Sequence, residues 1–158
     1  MAKGRKATAA DADICMKLYE LRREAEMRKA RDFVNFQFRP KGIDDVITLM
    51  QAMGTQENAW LRQVLSFWEN AASLLLNDVV HPDLFFAWNG EMVFTYAKFQ
   101  PFLKELRQKM EHPTFMAGVE KAVRSSPETR KRVAMIQDML AKMASKSKPA
   151  KTKPAKSK

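Results

Sequence analysis

Cysteine is nearly missing from these 158 residues; Cys15 is the only one. A single thiol excludes an intrachain disulfide framework and any multi-cysteine zinc or iron–sulfur site. Near the start of a helix it reads as a small inert thiol rather than a nucleophile. Histidine is almost as scarce. His81 and His112 each directly precede a proline, and no His-x-x-x-His or Glu-x-x-His pattern accompanies them. They read as polar residues at helix starts, not as metal ligands or general bases. The five glycines (Gly4, Gly42, Gly54, Gly90, Gly118) are too scattered for a phosphate-cradling loop. The acidic pair Asp44-Asp45 reads as first-turn charge complementing a helix dipole. No nucleophile, base and orienting group can be assembled, so the expectation is a protein that is not an enzyme and carries no cofactor or metal.

Long apolar runs are also lacking. The longest is Leu84 to Trp88, far short of the ~20 residues of a membrane span. The basic start runs into Ala-Thr-Ala-Ala-Asp-Ala-Asp, which is no secretory leader. These features predict a cytoplasmic protein without a transmembrane segment.

What the chain does have is positive charge: 28 Lys and Arg against 18 Asp and Glu, a net +10. The charge is not spread evenly. Ser145 to Lys158 holds six lysines (Lys146, Lys148, Lys151, Lys153, Lys156, Lys158) and no acid. Met1 to Lys6 adds Lys3, Arg5 and Lys6, again without an acid. The stretch between carries all 18 acids and a charge of about +1. The C-terminal segment has no large apolar side chain to bury, and Pro149 and Pro154 oppose helix. The expected organisation is therefore a disordered basic end at 1–8, a helical domain at 9–144 and a disordered Lys/Pro/Ala-rich tail at 145–158. Lys-Pro-Ala-Lys recurs at 148–151 and 153–156, and the tail resembles the lysine-, alanine- and proline-rich termini of linker histones and some bacterial nucleoid proteins.

The middle reads as helices. Ile14, Leu18, Leu21 and Ala25 form one apolar stripe, and Met27, Ala30 and Val34 form another on a different side. Either the first helix bends near Glu26 or it meets partners on two sides. Ile43 to Met53 is a short helix. Glu57 to Asn77 is the clearest, with Trp60, Val64, Phe67, Trp68, Ala71, Leu74 and Leu75 at three-and-four spacing. Residues 84–96 are ambiguous, because Asn89-Gly90 between aromatic runs suits a β-hairpin. Met92, Tyr96, Phe99, Leu103, Leu106 and Met110 instead continue at helical spacing, which favours a helix from Glu91 to about Met110, kinked at Pro101. Thr114–Ser125 is a further short helix, and Ser126-Pro127-Glu128 opens the last. The prediction is all-α: one compact bundle of six to seven helices, with the helices around Trp68 and Phe99 packed as an antiparallel pair.

Phe67-Trp68-Glu69, the His81-Pro82-Asp83-Leu84 turn, the aromatic approach to Pro101-Phe102 and the following Arg107 resemble a group of uncharacterised bacterial helical proteins. The likeness spans roughly Asp44 to Arg107. It implies a helical bacterial protein and assigns no functional residue.

Two functions remain open. In the first, Arg130, Lys131 and Arg132 on the last helix join the tail lysines in one basic surface. That surface would hold a polyanion, DNA or RNA, without reading sequence, because lysine acts as a point charge. Anionic lipid is a variant of the same chemistry. In the second, Met27, Ala30 and Val34 bury against a protein partner or a second copy, and the tail only solubilises. On the first helix, Lys17, Arg22, Arg23, Arg28, Lys29 and Arg31 make a denser basic patch, read as a mixed-charge solvated face with Glu24–Arg28 and Arg28–Asp32 pairs. Trp88, beside a turn, is the aromatic whose exposure would bear on base stacking.

Overall fold

The computed structural model describes residues 5–146. Among these the chain forms eight α-helices and one π-helical turn, with no strand. No helix among them is long and apolar enough to cross a membrane.

Helix α1 (Ala9–Arg23) starts at Thr8 with a reciprocal cap: Thr8 Oγ1 accepts from the Asp11 N–H, and Asp11 accepts from the Thr8 N–H at 2.8 Å. Residues from Arg5, expected to be unstructured, are held by the same carboxylate. The Arg5 guanidinium donates to both Asp11 oxygens, at 2.7 and 2.5 Å, and Asp11 Oδ1 also accepts the His81 N–H at 2.7 Å. The Arg5 guanidinium, with Thr8 and His81, holds the Asp11 carboxyl well below the usual carboxylate range.

The first apolar stripe ends because the helix breaks at Glu24, slightly earlier than the expected bend near Glu26. Glu24 has extended backbone (φ −52°, ψ 142°) and its carboxylate caps α2 (Ala25–Asp32) by accepting the Met27 N–H at 2.9 Å. A π-helical turn, Phe33–Gln37, follows. Lys98 closes it from below. Its buried ammonium donates to the carbonyls of Val34 and Asn35, at 2.5 and 3.4 Å, and to that of Phe38.

Next come α3 (Ile43–Gln51) and α4 (Gln56–Leu76), the latter capped by Thr55. Then follow α5 (Pro82–Trp88), opened by Pro82, and α6 (Gly90–Lys109). The hairpin alternative at 84–96 is thereby settled as helix, turn, helix, with Asn89 as the joint; α6 runs on through Pro101. Last are α7 (Ala117–Arg124) and α8 (Pro127–Lys146). Two features raise the helix number above the expected six or seven: the break at Glu24 and α5 as a helix of its own.

The expected antiparallel pair of α4 and α6 is not what forms. Helix α4 lies along α2 and α7, and α6 lies along α8. The reason is that both are buried on more than one face. Thr95, Tyr96, Ala97, Lys98 and Phe99 are consecutive and all buried, so no single stripe on α6 selects one partner. Trp68, Leu61, Val64 and Leu75 on α4 and Phe85, Met92 and Phe99 further along supply the largest fully buried side chains.

Candidate functional site

Met27, Ala30 and Val34 do not form an oligomer contact. They are 3%, 0% and 0% exposed within the chain itself. The break at Glu24 turns α2, and α4 covers the second stripe. The reading of two outward faces assumed one continuous helix.

Arg130, Lys131 and Arg132 do not merge into one patch either. Successive residues on a helix diverge by about 100°. Arg130 Nη1 donates to the Arg124 carbonyl at 2.5 Å and closes the end of α7. Lys131 faces water. Arg132 lies over Gly90 at the start of α6, so near that a Cβ there would sit 2.5 Å from its Nη2. Of the lysines, Lys146 ends α8, roughly 21 Å along the helix from Arg132. Lys148, Lys151, Lys153, Lys156 and Lys158, and with them the expected tail disorder, lie outside the described residues.

Arg132 faces a cleft of about 410 Å³, formed by α2, the π-helical turn and the start of α6. At its base Glu91 accepts from Arg31 Nε at 2.7 and 2.9 Å through its two oxygens, and from Arg31 Nη2. Asn35 Nδ2 donates to the same carboxylate at 2.9 Å, and Arg22 Nη1 stands 3.6 Å away. Arg22 is itself buried, with its guanidinium 5.6 Å from the Trp68 ring centre, and burial pushes its pKa down. Glu91 is therefore fully occupied.

Two guanidiniums at the cleft have no carboxylate among the described residues: Arg28 and Arg132, both exposed. The pairs expected for Arg28 are absent for a local reason. Glu24 caps α2, and Asp32 accepts from Gln37 Nε2 at 2.6 Å. Phe36, 61% exposed, and Phe94 form an aromatic wall with ring centres 6.3 Å apart. The start of α6 adds a positive helix end, because Asn89 turns its amide to the Phe85 carbonyl and leaves the helix without a side-chain cap.

A wider cleft of about 790 Å³ lies between α4 and the turn before α7. Its polar groups serve the fold. Asn58 Nδ2 holds the Leu49 and Met50 carbonyls, each at 2.9 Å, and Glu69 accepts the Gly118 and Val119 N–H groups at the start of α7. His112 at its rim is exposed, and His81 Nε2 lies 2.8 Å from the Arg5 carbonyl. Cys15 is fully buried, and burial pushes its thiol pKa up. Trp88 is 39% exposed, but its own carbonyl, not its ring, meets Arg22.

Among the described residues the protein is all-helical, and two arginines without a carboxylate, Arg28 on α2 and Arg132 on α8, line one cleft. A family described as a domain of unknown function, DUF4760, matches residues 7–126, and the chain belongs to that family. Helix α8 and the lysine-rich end lie beyond the matched residues. No curated protein and no solved structure matches the chain.

Proposed function

We propose that this is a non-enzymatic helical binding protein that holds a nucleic-acid backbone through the basic end of the chain, without reading sequence. The observation that carries this reading is the segregation of charge. The residues from Ser145 on hold six lysines and no acid, whereas the body between the two ends is near neutral. Helix α8 supports it: Ala141 to Ser145, near its C-terminal end, are all exposed. Lysines that neutralise phosphates release counterions, and binding then weakens with salt. The test is a full-length variant with all six lysines replaced by glutamine, titrated against labelled duplex at two salt concentrations. Loss of salt-sensitive binding in the variant is expected; binding equal to wild type overturns the proposal.

A second reading, an interaction domain, has one specific observation in its favour. Met135, Met139 and Met143 are exposed at a spacing of four on α8, with fractions of 72%, 42% and 44%. Self-association lost in Met139→Glu, measured by sedimentation, would support it; a wild-type monomer at all concentrations would remove it.

A further inference from the structure

We propose that the arginine cleft is a separate binding site for a small phosphate monoester carrying an aromatic ring, of the size of a nucleoside monophosphate. The site is part of the folded body and does not depend on the lysine-rich end.

Charge is the first argument. Four arginines (Arg22, Arg28, Arg31, Arg132) meet two carboxylates, Glu91 and Asp32, at this place. Two positive charges are left over, matching a phosphate monoester, which carries close to two negative charges near neutral pH. Neither leftover guanidinium is paired with an acid among the described residues. Glu91 is filled by Arg31, Arg22 and Asn35, and Asp32 is held by Gln37.

Geometry is the second. Arg28 approaches from α2 and Arg132 from α8, so the two forks face one space from different elements. Guanidinium forks match phosphate oxygens in pairs. Arg31 cannot swing away, because Glu91 and the Arg22 carbonyl fix its guanidinium, the latter at 2.9 Å. It sets the floor against which a ligand would sit. Arg132, packed over the start of α6, adds a cation whose charge Glu91, in the first turn of α6 and already bound by Arg31 and Asn35, does not take up.

The aromatic wall is the third. Phe36 is 61% exposed, more than any other aromatic side chain among the described residues, and with Phe94 it borders the same cleft. A ring attached to the phosphate would cover it. The volume, about 410 Å³, lies at the small-molecule scale rather than that of a duplex.

Calorimetric titration of the full-length protein with AMP, phenyl phosphate, inorganic phosphate and adenosine tests this. The expected order is AMP and phenyl phosphate above inorganic phosphate, with adenosine not binding. Arg28→Gln and Arg132→Gln each weaken AMP at least tenfold, and thermal melts verify that both fold. Phe36→Ser weakens AMP several-fold but leaves inorganic phosphate unchanged. Lys131→Gln, next to Arg132 but facing water, changes nothing. The six-lysine variant still binds AMP at wild-type strength, which separates failure of this site from failure of the polyanion proposal. Adenosine binding as well as AMP, no binding of either phosphate ester, or full affinity in both arginine variants overturns the assignment.

Discussion

The Arg132 guanidinium rests directly on Gly90, so that an added Cβ would meet Nη2 at 2.5 Å and Nη1 at 2.8 Å. The obstructing atoms are the far end of a flexible side chain, so the backbone need not move. Gly90→Ala is therefore expected to leave stability within about 1 kcal/mol of wild type, since alanine is the better helix residue. The same change displaces Arg132 and lowers AMP affinity several-fold. Thermal melts and calorimetry on one preparation check both halves. Unchanged affinity would show that Arg132 does not act from this position.

Glu91 joins α6 to α1 and α2 by accepting from Arg31 and standing beside Arg22. Its removal leaves two partly buried guanidiniums without a carboxylate. Glu91→Gln should destabilise by about 3 kcal/mol, the scale seen when one partner of a buried pair is lost. In a chain of this size that is roughly a 10 °C drop in Tm. A drop below about 2 °C would mean that the pair is no more than a solvated surface contact.

Met27 and Met135 carry the corrected reading of the apolar stripes. Met27 is 3% exposed and Met135 72%. Met27→Ala should cost about 2–5 kcal/mol, as core truncations do. Met135→Ala should fall within about 0.5 kcal/mol of wild type. Denaturant unfolding of both distinguishes this from the reverse order, which an outward second stripe on α2 would give.

Lys98 gives a pH dependence with a definite sign. Burial, and secondarily Arg39, pulls its pKa down to about 8 from the usual 10.5. The unfolded chain therefore binds the extra proton between those values, and stability rises with pH across that window. Lys98→Met removes this titration. The stability of wild type minus that of Lys98→Met should grow from about pH 8 towards pH 10.5, measured by urea unfolding. A difference that is flat or falls across that window contradicts the burial of a charged Lys98.

Much of the fold was legible because helical periodicity and caps are local. The α4 stripe and the Ser126-Pro127 start both stood in the sequence, and each lines or begins a helix. The break at Glu24 was half legible: the stripe changed side there, but only the backbone showed that a cap, not a bend, causes it. The cleft was not legible. Arg28, Gly90 and Arg132 are far apart in sequence, and Arg28 lost its expected partners only because Glu24 and Asp32 serve nearer groups. Arg130, Lys131 and Arg132 form one basic run in sequence, yet helical geometry sends Arg130 to the Arg124 carbonyl, Arg132 to Gly90 and Lys131 to water.

The proposed attachment to nucleic acid rests most directly on its salt dependence. The measurement is fluorescence anisotropy of the full-length protein on labelled duplexes of two unrelated sequences, over a series of salt concentrations. Sequence-independent engagement of the six lysines predicts equal affinities for both duplexes and a plot of log K against log salt with a slope near about −5. A slope indistinguishable from zero, or strong preference for one duplex, would contradict it.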